Sequence, residues 1–67
     1  MEDIKVGQVW EFNKTIWIIT SINEDWVCLI TNKGLAATEK KELITGNLLA
    51  TYPTWQEAVN SKEFKGE

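Results

Sequence analysis

The chain contains no arginine and no histidine, a single cysteine and a single proline. Each absence removes a class of chemistry. Without arginine there is no planar fork for bidentate phosphate recognition. Without histidine the commonest general base is gone, and a lone thiol has no imidazole partner to activate it. One cysteine cannot form an intramolecular disulfide, and one cysteine without histidine cannot supply the usual ligands of structural zinc. Cys28 lies between apolar Val27 and Leu29, the setting of a buried strand thiol.

The charge pattern is similarly restrictive. The net charge is −3, with Lys and Glu interspersed and no basic run. That balance argues against nucleic acid, whose affinity comes largely from cations neutralising phosphates. Met1-Glu-Asp-Ile-Lys5 lacks the basic and apolar regions of a secretory signal. No apolar run approaches membrane-spanning length. A cytoplasmic, reducing location without membrane contact is the expectation.

With 67 residues, one hydrophobic core and one domain spanning 1–67 are expected. A core this small needs large side chains or a partner when disulfide and metal are missing. Large side chains are present: Trp10, Trp17, Trp26 and Trp55, against two Phe and one Tyr. Tryptophan is seldom buried over its whole surface, so at least one of the four is expected to be available to a partner.

β-rich runs alternate with turn residues. Gln8–Phe12, entered through Gly7, is followed by Asn13-Lys14. Ile16–Ile22 is followed by Asn23-Glu24-Asp25, and Trp26–Thr31 by Asn32-Lys33-Gly34. Connections this short join only antiparallel neighbours, so these runs predict a three-stranded meander. Leu35–Thr38 extends as a fourth strand, Glu39–Leu43 as one helical turn, and Asn47–Tyr52 as a closing strand before Pro53. Thr54-Trp-Gln-Glu57 is a capping box that starts a helix running to about Lys62. Phe64 can fold back as an apolar anchor, with Lys65, Gly66 and Glu67 fraying.

Alternation along the strands, with the pairing between them assumed, sorts their side chains into two sets. Trp10, Phe12, Ile16, Ile18, Ile22, Trp26, Cys28 and Ile30 form one; Val9, Trp17, Ile19, Val27 and Leu29 form the other. Neither is cleanly polar, so something must cover both. Either the sheet curls into a small barrel with the C-terminal helix against its outside, or one face is an oligomer or partner interface built around Trp17. The interface reading nominates Trp17, Ile19, Val27 and Leu29, with Trp10 and Trp26, as partner- or ligand-binding residues.

Val6-Gly-Gln-Val-Trp-Glu-Phe12, followed by a turn and Ile16-Trp-Ile-Ile-Thr-Ser-Ile22, resembles the entry to SH3-like barrels of phage and prokaryotic origin. Tyr52-Pro-Thr-Trp-Gln-Glu-Ala58 resembles closing segments of short phage or prophage proteins. The resemblance covers residues 4–52 and implies a mainly β fold, a small antiparallel barrel of about five strands, acting as a ligand or protein adaptor. Toxin ribonucleases with an SH3-like core share the Gly-Asp-Val-Trp type of opening. Here Gln8 follows Gly7, and the catalytic Arg of that family has no counterpart.

No Gly-rich phosphate loop, paired carboxylates or metal-ligand cluster appears in the sequence. Glu11, the one acid inside the three runs of the meander, is expected to face outward, and Lys40-Lys41 reads as a solvated turn. No catalytic residue, cofactor or metal is therefore nominated. The expected function is a phage-type accessory module that self-associates and binds or inhibits a host protein. A sponge for a small signalling nucleotide is the alternative, and single-stranded nucleic-acid binding by aromatic stacking is a third.

Overall fold

The computed structural model describes residues 4–65. Five strands form one antiparallel sheet: β1 Gln8–Phe12, β2 Thr15–Asn23, β3 Trp26–Thr31, β4 Gly34–Glu39 and β5 Asn47–Thr51. The spatial order is β4-β3-β2-β1-β5. Strands β1 to β4 follow one another as a meander, and a single-turn helix α1, Lys40–Leu43, carries the chain back so that β5 lies against β1. Helices α2, Trp55–Val59, and α3, Lys62–Lys65, complete the chain.

Local chemistry explains the turns. Asn13 and Lys14 both take positive φ, 55° and 64°, the conformation that lets a two-residue loop match the twist of its strands. Gly7 has φ 96°, and a Cβ there would stand 2.3 Å from the carbonyl oxygen of Tyr52. The bare backbone instead ties two strands together: Gly7 N–H donates to Ile19 O and Gly7 O accepts from Tyr52 N–H, each at 3.0 Å. Only glycine fits this position without displacement.

The sheet is buried on both sides. Trp10, Ile19, Val27 and Leu29 pack on the concave side with Leu43, which α1 inserts between the sheet edges; Ile4, Trp17 and Ile22 pack against them. On the convex side Val9 and Ile18 pack with Ala58, and Ile16, Ile30, Trp55, Val59 and Phe64 surround them. Curling with a helical cover on the outside is therefore the arrangement adopted.

The expected sorting of side chains needs correction in two places. Trp10 stands opposite Trp17 and Val9 opposite Ile18, so the alternation of β1 is displaced by one residue from the assumed pairing. A bulge then interrupts β2 between Ile19 and Ser21, where the Thr20 hydroxyl donates to Cys28 O at 3.2 Å. The extra residue resets the alternation and brings Ile22 to the concave side with Val27. Cys28, expected to be buried, is exposed, because its position on β3 faces the convex side beyond the reach of the helices.

The C-terminal helix is shorter than expected. Thr54 Oγ1 accepts from Glu57 N–H at 3.2 Å, as the capping box requires, but α2 stops at Val59. Asn60 leaves helical geometry with φ −89° and ψ 2°, and the Ser61 hydroxyl accepts the amide of Phe64, starting α3. That corner brings Phe64 back onto the sheet as anticipated. Lys65 is helical, its N–H bonded to Ser61 O, while Gly66 and Glu67 lie outside the described residues.

Candidate interaction surface

Five of the six nominated contact residues converge on the concave core. Trp10, Ile19 and Val27 have no exposed surface and Leu29 has 1%. Trp17 is half-buried beside them. The two indoles are satisfied internally: Trp10 Nε1 donates to the side-chain oxygen of Gln8 and Trp17 Nε1 to the carbonyl of Phe12, each at 3.0 Å. A buried indole with its donor already used is a packing element. The face built around Trp17 is thus the inside of the curl, and the nomination of Trp10, Trp17, Ile19, Val27 and Leu29 as contact residues is corrected. Curling was the alternative that the alternation alone could not separate from an interface.

Trp26 differs, being 51% exposed at the start of β3. Its convex-side neighbours follow from the register. Trp26 stands opposite Glu39, Cys28 opposite Ala37 and Ile30 opposite Leu35. Ile30 packs into the Val9, Ile18 and Ala58 cluster, while Cys28 and Ala37 are exposed and Leu35 is 84% exposed. Trp26, Cys28, Ala37 and Leu35 therefore form an apolar band across two adjacent strands on the uncovered part of the sheet. Leu35 and Ala37 were not nominated from the sequence. The signal was present: the two-residue turn Asn32-Lys33 fixes Thr31 opposite Gly34, and counting outward puts Leu35 beside Ile30.

The band lies next to an open sheet edge. Of the two outer strands, β5 pairs with β1 through a register shift between Val9 and Trp10, and Pro53 follows shortly after it. β4 pairs with β3 through six consecutive residue pairs without a shift. It has no proline and no charge before its last residue, Glu39. Edge strands are commonly protected by just such interruptions, and β4 has none.

Charge gathers at the two ends of the band. Glu39 makes an exposed 3.6 Å ion pair with Lys41, and Lys33 lies in the turn ahead of β4. A mixed-charge cleft of about 390 Å³ is lined by Asp25, Glu39, Lys40, Lys41 and Ile44. A smaller one, about 160 Å³, lies between Lys14, Lys33 and Phe64. The curl itself retains about 60 Å³ of space bordered by Trp17, Leu29 and Leu43. Among the described residues no three His, Cys, Asp or Glu side chains gather where they could hold a metal ion, and no helix is long and apolar enough to cross a membrane.

Glu11 is exposed on β1. The Tyr52 hydroxyl donates to the Glu63 carboxylate. That bond, helped by desolvation, raises the phenol above its ordinary value of 10.0. The pair ties α3 to the end of β5.

Comparison with known proteins finds no match, whether against family models, curated proteins or solved structures.

Proposed function

We propose that the chain is a non-catalytic protein-binding module whose contact surface is the convex face of β3 and β4. The observation that carries this reading is the uncovered apolar band, in which Leu35 at 84% and Trp26 at 51% are the two most exposed large apolar side chains among the described residues. Contiguous apolar surface of this kind marks contact sites on small soluble domains, and tryptophan is enriched where binding energy concentrates. An adaptor role toward another protein, a host factor if the phage-type resemblance extends to source, agrees with it. The nucleotide reading has less support. Of the two clefts that put Lys14 beside an aromatic ring, the one with Lys33 and Phe64 is about 160 Å³, below the roughly 300 Å³ at which small-molecule pockets start, and the one with Phe12, about 340 Å³, brings a single lysine together with the Glu11 carboxylate.

The test is capture of protein partners by immobilised wild-type chain, Leu35→Glu and Trp26→Ala, with Gln56→Ala on exposed α2 as control. Loss of a specific partner in the first two variants, with melting temperatures retained, supports the surface. A partner held equally by all four chains contradicts it.

A further inference from the structure

We infer that the open edge beside this surface pairs with a second copy of the chain, strand to strand through β4 about a two-fold axis at Ala36. The inference rests on the reading of the β3–β4 face as the contact surface and names its partner. Three features of β4 lead to it.

The first is the direction of its backbone groups. Lys40 N–H donates to Asp25 O at 2.8 Å, next to the opposed pair Trp26 and Glu39. In an antiparallel ladder, residues directing both backbone groups at a neighbour alternate with residues directing both away. The even-numbered residues Gly34, Ala36 and Thr38 thus face β3. Leu35 and Ala37 offer their N–H and C=O groups to the open edge and Glu39 its N–H, its carbonyl heading α1, and an incoming strand must pair with these groups.

The second is charge. A second β4 crossing antiparallel about Ala36 sets Leu35 opposite Ala37 of the other copy and brings Lys33, in the turn just ahead of β4, to the end of the other strand at Glu39, each twice by symmetry. Moving the axis to Ala37 would instead set Leu35 against Glu39 and run the ladder off the end of β4 into α1. Opposite charges brought together stabilise, and an apolar side chain set against a carboxylate gains nothing, so the pattern selects the Ala36 axis. Glu39 already has Lys41 at 3.6 Å, an exposed pair that leaves its carboxylate able to take a second ammonium.

The third is the small size of the side chains at the axis. Ala36 meets itself at a position where no backbone bonds form and side chains approach most closely, and a methyl group fits there. On the convex side the apolar band becomes continuous across the junction, with Leu35 of each copy lying beside Ala37 of the other. The interface is isologous and closes on itself, so pairing stops at a dimer.

Sedimentation equilibrium of wild-type chain, Lys33→Glu, Glu39→Lys, the double swap and Ala37→Pro tests this. Wild type is expected as a concentration-dependent dimer. Each single reversal, which converts two attractive contacts into two repulsive ones, should weaken it about tenfold, and the double swap should restore it to within about threefold. Ala37→Pro removes an N–H that points to the open edge, a place where an edge strand tolerates proline, and should give a folded monomer with its melting temperature retained. A monomeric wild type overturns the pairing, and capture by the Leu35 and Trp26 variants then decides separately whether the face serves another protein. A dimer that survives Ala37→Pro, or a double swap no better than the single reversals, overturns the Ala36 register.

Discussion

The side-chain oxygen of Gln8 accepts the indole N–H of Trp10 at 3.0 Å inside the fold, two residues away on the same strand. The same oxygen accepts Lys5 N–H at 3.0 Å. Gln8 is thus a buried polar residue that pins the chain entering β1 and completes the environment of the largest fully buried side chain. Gln8→Ala leaves a buried donor without this partner and should cost about 1 to 3 kcal/mol, read by urea denaturation. An unchanged midpoint would show that Trp10 finds another acceptor.

Trp17 and Trp26 should respond oppositely to truncation. Trp17→Ala removes a core indole from beside Leu29 and Leu43 and should destabilise the chain by about 3 to 5 kcal/mol. Trp26→Ala, on the exposed band, should cost less than about 1 kcal/mol. Thermal melts of the two variants side by side check this. Equal losses would mean that Trp26 packs as core.

Gly7→Ala tests the junction of β1 with Ile19 and Tyr52. The new methyl would lie 2.3 Å from a backbone oxygen, at a φ of 96° that suits only glycine. The oxygen belongs to Tyr52, whose N–H is bonded to Gly7 O, so neither side yields cheaply. A loss on the order of 3 kcal/mol is expected in denaturant unfolding. A melting temperature within about a degree of wild type would contradict the close approach.

Tyr52 and Glu63 make the fold sensitive to alkaline pH. Because the folded-state pKa of Tyr52 is raised above 10.0, the folded chain holds its phenolic proton more tightly than the unfolded chain. The contribution is complete below pH 10 and is lost as pH rises through the folded value. Tyr52→Phe removes it at all pH values. The difference in melting temperature between wild type and this variant should therefore shrink above pH 10, and a difference constant from pH 8 to 12 would contradict the link.

Strand positions were legible where turn chemistry punctuates the chain. Gln8–Phe12 and Trp26–Thr31 carry their predicted bounds, and Thr54 caps its helix as its spacing requires. Sidedness was not legible, because it depends on registers that the sequence does not mark. One residue of displacement between β1 and β2 moved Trp10 across the sheet relative to its assumed partners, and the bulge after Ile19 did the same for Ile22. Apolar character around Trp17 looks the same whether a sheet curls over it or leaves it open. What separates the two is the insertion of Leu43 by α1 on one side and of Ala58 by α2 on the other. Trp26 was nominated, but its partners Leu35 and Ala37 become visible only once β4 is counted back from the Asn32-Lys33 turn.

The most direct measurement is hydrogen exchange at individual β4 amides, followed by NMR at low and high protein concentration. Ala36 and Thr38 direct their N–H groups to β3 and serve as an internal reference, protected at both concentrations. The edge pairing predicts that Leu35 and Ala37 are also protected and exchange more slowly as concentration rises. Rapid exchange at Leu35 and Ala37 at every concentration, beside protected Ala36 and Thr38, would contradict it.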